Sequence, residues 1–193
     1  MATACDGRCL IAVTVATMID FSRNHFELLG LPLRYRVDDR ALERAYRNLQ
    51  RVVHPDRFAA ADDTGKRLAL QASARVNEAC RTLRDPVARA EYLLSLLGVD
   101  ATSETDTRLP AIFLTRQLER REAAEEASAE HDVRALSKLI DQARGEAADL
   151  TVDVERLLDA DDRARARTCV RELRFVVKIA DDLEALSAAE LDR

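Results

Sequence analysis

Three groups of residues in this 193-residue chain have side chains and spacings that could do chemistry. His54, Pro55 and Asp56 are consecutive, so an imidazole stands two residues from a carboxylate. That pair could be a general base oriented by an acid. It could equally be a proline-stiffened turn that offers both groups to a partner. The catalytic version needs a nucleophile, a Gly-rich loop or a third group to complete a site, and the sequence supplies none. The second group is Cys5 and Cys9, whose C-x3-C spacing could begin a zinc site. No second close pair follows, so no metal is expected. The third group is Arg40, Arg44, Arg47 and Arg51, which share one helical face. Such a stripe can meet phosphates or an acidic protein surface. Glu43, Asp38 and Asp39 dilute it and no aromatic interleaves with it, which disfavours nucleic acid.

These groups need elements to position them, and the composition names the kind. Aromatics are 4% of the chain and charged residues 34%, with 5 Gly, 4 Pro and no Trp. That balance predicts an all-α fold. With 47% hydrophobic residues the chain can build a core. Lys and Arg total 30 against 35 Asp and Glu, a net charge of −5, which argues against a globally basic nucleic-acid binder. No apolar run reaches membrane-spanning length, and no membrane partner is expected. Scattered cysteines indicate a reducing, cytoplasmic setting, with Cys80 and Cys169 expected as small core residues.

The run from Cys9 to Ile19 imitates the apolar part of a signal peptide, but Arg8 is offset by Asp6 and no clear cleavage site follows. Met18 reads as an alternative start. Residues 1–20 are therefore expected to be a disordered tail or a mis-called start. Ser22 to Leu29 predicts a short helix stopped by Gly30 and Pro32, with Phe26 and Leu29 inward. Asp38 or Asp39 can cap a helix to Val53, buried through Leu42, Tyr46, Leu49 and Val53 and ended by Pro55. A third helix is predicted over 66–83 with a stripe of Leu68, Ala72, Val76, Ala79 and Leu83. A fourth begins at Pro86, carries Ala90, Leu93, Leu94 and Leu97, and stops at Gly98.

Residues 99–107 lack periodicity and read as a linker. Beyond them, Val133, Leu136, Ile140, Ala143, Ala147 and Leu150 keep a near-heptad spacing, as do Val170, Leu173, Val177 and Ala180, continued by Leu183 and Leu186. Asp159 to Asp162 should break the helices. The second half is expected to be an antiparallel bundle of three or four helices.

The His54-Pro55-Asp56 turn ends a basic amphipathic helix and precedes a helix ending NEACRTLRDP, Asn77 to Pro86. This arrangement resembles a J-domain over about Asn24 to Leu97. The resemblance implies a helical hairpin that performs no chemistry itself and acts on a DnaK-type ATPase chaperone. It implies that Arg44, Arg47, Arg51, His54, Pro55 and Asp56 touch that chaperone. Asp56 could accept a charge-assisted bond from an Arg on the partner. No Gly/Phe-rich region or cysteine-rich repeat follows. Instead HFELLGLP (His25 to Pro32), RAEYLLSLLG (Arg89 to Gly98), FLTRQLERRE (Phe113 to Glu122) and LRFVVKI (Leu173 to Ile179) are similar to the HscB family, J-domain co-chaperones of iron–sulfur cluster assembly.

That resemblance implies an HscA-like chaperone and the cluster scaffold protein IscU as partners, and no cofactor. It divides the chain into a J-domain at 21–97, a linker at 98–107 and a scaffold-binding bundle at 108–193. It assigns scaffold binding to Leu114, Leu118 and Phe175, with Glu119, Glu122 and Glu126 as acidic neighbours. Leu114, Leu118, Glu122 and Glu126 are each four apart and so follow one helical surface. Thr115 departs from the family, where an apolar residue is common. Periodicity alone would place the three apolar residues in the bundle core. A J-domain protein with a different client is the alternative function.

Overall fold

The computed structural model describes residues 19–59, 61–101 and 109–191. Cys5, Cys9, the segment before Ile19 and residues 102–107 of the expected linker lie outside them. Among the described residues there are seven α-helices and no strand. The chain divides into two compact units, residues 1–89 and 90–193.

The first unit is built by local caps. Helix α1 (His25–Leu28) begins at His25, later than Ser22, because Asn24 forms a capping box with Glu27. Ser22 instead bonds the Asp20 carboxylate. Gly30, at φ +63°, turns the chain back after the helix, and the Leu31 amide donates to the Phe26 carbonyl. Phe26 and Leu29 are buried as expected. Asp38 caps helix α2 (Asp39–Val53) by accepting from the Arg40 and Ala41 amides. Leu42 and Val53 are fully buried, while Tyr46 and Leu49 pack half-buried beside them.

Helix α3 (Asp63–Arg84) starts three residues before the predicted Lys66. Asp62 caps it through the Gly65 amide at 2.8 Å. A Cβ at position 65 would stand 3.1 Å from the Asp62 Oδ1 and 3.0 Å from the Ala61 Cβ. Glycine, which reads as a loop signal, is thus what lets this cap close. Val53, Ala72, Val76 and Ile19 form the core between α2 and α3. Tyr46 and Gln50 of α2 both donate to the Asn77 amide oxygen of α3. The loop after α1 is pinned by Tyr35, which sequence patterning passed over. Its ring lies under the Arg89 guanidinium and its hydroxyl donates to the Pro86 carbonyl.

Helix α4 (Pro86–Leu96) contains the division between the units at Arg89/Ala90, ahead of the 97/98 boundary drawn from the sequence. Its second half belongs with the bundle. Glu91 pairs with Arg174, and the Leu97 and Asp100 carbonyls accept from Arg163 and Arg167. Ala101 is buried, so the first residues of the expected linker are tied down.

Three long helices complete the second unit: α5 (Ala111–Ala129), α6 (Val133–Asp159) and α7 (Arg163–Leu191). Short turns join them, so α6 runs antiparallel to α5 and α7. His131 and Asp161, both at positive φ, make those turns. Phe113, Ala124, Ala127, Leu136, Ile140, Ala143, Val176, Ala180 and Leu183 form one continuous core. Val176 occupies the position predicted for Val177, which is only half-buried. The α7 stripe steps by three from Leu173 to Val176 and then by four to Ala180. At the far end of the bundle Glu190 accepts from Ser128 at 2.9 Å and stands 2.6 Å from His131 Nδ1.

Candidate functional site

The first site is the turn after α2. Pro55 forbids further α-helix and opens a single 3-10 turn, Pro55–Phe58. Phe58 packs on the α2–α3 core and anchors the turn. Arg57 reaches back and donates to the Arg51 carbonyl at 2.9 Å, a brace the sequence reading did not foresee. His54 Nδ1 accepts from the Asp56 amide at 3.3 Å and lies 3.5 Å from the Asp56 carboxylate. The imidazole is therefore held by its own loop. The Asp56 side chain is 89% exposed and aimed at solvent. This is a rigid presentation of two polar groups.

Arg40, Arg44, Arg47 and Arg51 are all exposed on α2. They are not equivalent. Glu43 pairs with Arg47 at 2.7 Å and with Arg84 of α3 at 2.6 Å, which offsets the Arg47 charge. Among the described residues Arg40, Arg44 and Arg51 have no carboxylate partner, so the available positive field lies at those three positions.

The second site is a groove of about 640 Å³ between α5 and α7. Leu114, Leu118 and Phe175 line it, with 45%, 57% and 40% of their surfaces exposed. They are not core. Phe175 meets buried Phe113 edge-on, ring centroids 5.7 Å apart, which holds its ring at the groove wall. The groove continues to Ile179 and Leu186, and its polar rim is Arg121, Glu125, Lys178 and Asp182. Leu186 also packs against the core, as its place in the apolar run predicts, whereas the rim was not marked by the sequence.

Of the expected acidic neighbours, Glu119 lies in the opposite groove, between α5 and α6. It is five residues past Leu114, about 140° around the helix. Glu122 and Glu126 are exposed on α5 but do not line the α5–α7 groove. Thr115 is exposed beside Leu114.

Other titratable groups are structural. Burial, then the charges of Glu172 and Asp153, push the Cys169 thiol up to about 12. Burial likewise raises Cys80. Neither is poised as a nucleophile or ligand. Burial, with repulsion from Glu146, raises Glu172. Among the described residues no cluster of three or more His, Cys, Asp and Glu could hold a metal, and no helix is long and apolar enough to cross a membrane.

A basic helix, a His54–Pro55–Asp56 turn and a returning helix define a J-domain protein. Residues 24–92 match the DnaJ domain model, and residues 109–184 match the HSCB C-terminal oligomerisation domain. The co-chaperone protein HscB homolog of Burkholderia vietnamiensis is 46% identical over 171 residues, covering 87% of this chain and 96% of its own. That of Aromatoleum aromaticum is 47% identical, covering 89% and 98%. The crystal structure of human co-chaperone protein HscB superposes with a TM-score of 0.81 at 29% identity, over 86% of this chain and 83% of its own. HscB from Vibrio cholerae gives 0.76 at 32% identity, over 86% and 99%. The chain belongs to the HscB co-chaperone family.

Proposed function

We propose that this protein stimulates the ATPase of a DnaK-type, HscA-like chaperone through its first unit and delivers the iron–sulfur scaffold protein IscU to it through its second. It thereby supports maturation of iron–sulfur proteins in the cytoplasm. His54, Pro55 and Asp56, with Arg44, Arg47 and Arg51, engage the chaperone. The rigid turn binds the hydrolysis-competent state better than the other and shifts the population toward it. Arg44 and Arg51 steer encounter with an acidic surface. The scaffold sits on Leu114, Leu118 and Phe175.

The observation that carries this reading is that three large apolar side chains stand exposed in one groove with a charged rim. Apolar anchors within a polar rim are the ordinary makeup of a protein interface. Glu122 and Glu126 extend the acidic surface of α5, and Glu119 would contact only a partner wide enough to wrap the helix.

The test is chaperone ATPase turnover with and without purified scaffold. The wild-type chain should stimulate in both cases, and more with scaffold, because one adaptor raises the effective concentration of client at chaperone. Leu114→Ala/Leu118→Ala should retain basal stimulation and lose the increment. An increment that survives this variant moves the scaffold site elsewhere. Basal stimulation with no increment in the wild type points to a different client.

A further inference from the structure

On the basic face of α2 one residue has the opposite sign. Past the first turn of the helix Glu43 is the sole carboxylate, set among Arg40, Arg44 and Arg47. Its side chain is 36% exposed and accepts from arginines on two helices. Arg47 Nε of α2 donates at 2.7 Å and Arg84 Nη2 of α3 at 2.6 Å. Arg84 has a carboxylate beside it in sequence, but Asp85 is engaged by the Ala88 amide at 2.7 Å, at the start of α4.

A mechanical role for Glu43 is redundant. The apolar core already joins α2 to α3, and Tyr46 and Gln50 add hydrogen bonds to Asn77. Ion pairs this exposed contribute little to stability. An electrostatic role is not redundant. Glu43, Arg47 and Arg84 together carry one net positive charge where two guanidiniums stand. Without Arg84, Glu43 would cancel Arg47 outright and interrupt the row from Arg40 to Arg51. Without Glu43, both guanidiniums would act in full. Their side chains are 69% and 61% exposed, so the field they make reaches solvent.

We propose that Glu43 and Arg84 set the rate at which the first unit meets an acidic chaperone surface. Glu43 attenuates the positive field of α2, and Arg84 keeps that attenuation partial. Both are positioning residues that act through Arg47, and the inference rests on the chaperone-stimulation reading above.

The test is stopped-flow association of the full chain with a purified, fluorescently labelled DnaK-type chaperone in its ATP-bound state. Salt is raised from about 0.01 M to about 0.15 M, over which screening shortens from ~30 Å to ~8 Å. One charge's share of the steering by a surface of four or five is on the order of two- to fivefold in rate. Glu43→Gln should associate faster than the wild type by that factor at the low-salt end, and Arg84→Ala slower by it. Both differences should shrink toward none as salt rises. Glu43→Gln/Arg84→Ala restores the wild-type net charge without the bridge, and should associate within about twofold of the wild type throughout. A Glu43→Gln chain that associates no faster than the wild type overturns the proposal. So does a double variant that stays as slow as Arg84→Ala. Slower association in all three variants together with lower melting temperatures makes Glu43 a structural bridge, and overturns it as well. In each of these cases a wild-type chain that still stimulates the chaperone leaves the chaperone reading standing. A wild-type chain that does not associate with the chaperone overturns that reading and this inference with it.

Discussion

Residues 1–89 carry 15 Lys and Arg against 11 Asp and Glu, a balance of +4, while residues 90–193 carry 15 against 24, a balance of −9; together these give the chain's −5. The functional groups proposed for the two units differ just as much. In the first they are polar and charged side chains on a proline-stiffened turn, outside the core that holds the turn up. In the second they are leucines and a phenylalanine of the kind that normally builds a core, standing exposed in a groove beside it. A polar site of the first sort costs the fold almost nothing. An apolar site of the second sort forgoes part of a burial worth roughly 1.5–3 kcal/mol per large side chain.

The comparison breaks most visibly at the turn. His54→Gln and Asp56→Asn should each abolish chaperone stimulation and shift folding stability by no more than about 0.5 kcal/mol, as exposed substitutions do. Steady-state ATPase rates with denaturant melts check both halves. Stimulation at the wild-type level by both variants would remove the turn from the mechanism.

The second unit should show the reverse separation between neighbours. Leu136→Ala, at a fully buried α6 position, should cost about 2–5 kcal/mol. Leu118→Ala, at an exposed α5 position, should cost about 0.5 kcal/mol or less. Phe175→Ala should fall between them, because its ring also braces Phe113. Urea midpoints of the three variants decide this. A large loss at Leu118 would make it core.

A smaller effect sharpens the electrostatic side. Replacing Arg44 and Arg51 with Ala should weaken stimulation several-fold at low salt, with the difference fading as ionic strength rises and screening shortens to about 8 Å. Arg47→Ala should do less, since Glu43 already offsets it. Equal effects from all three would mean that Glu43 releases Arg47 on binding.

The smallest effect is a pH slope. Burial, reinforced by the nearby Arg75 charge, lowers the His25 pKa below its usual 6.5. The unfolded chain takes up this proton more readily than the folded one. Stability from His25 is therefore complete above pH 6.5 and is lost as pH falls below it toward the folded value. Denaturation midpoints between about pH 7 and pH 5 should fall less steeply in His25→Phe than in the wild type. Parallel slopes would exclude His25 as the source.

Local patterning determined a good deal of this protein. Asp38 ahead of a periodic run, Pro55 after it, Pro86 and Gly98 at the ends of α4, and the 3–4 spacing through Leu136, Ile140 and Ala143 act within a turn or two of the chain. Helix type, helix order and the turn site were legible for that reason. The α3 start was missed because Gly65 signals a loop until the Asp62 carboxylate is seen to occupy the space a Cβ would need. Tyr35 was missed because its partners, Pro86 and Arg89, are some fifty residues away. Leu114, Leu118 and Phe175 were named through resemblance, since periodicity assigns apolar helix positions to a core. Their exposure was decided by the packing of the bundle, which turns Phe113, Ala124 and Ala127 of α5 and Leu173 and Val176 of α7 inward and leaves these three outside. Glu119 faces another groove because it stands about 140° round α5 from Leu114, and packing against α7 makes Arg121, Glu125, Lys178 and Asp182 the rim. Short-range sterics and capping are properties of sequence neighbours, whereas the rotation of a helix is settled by groups that only folding brings together.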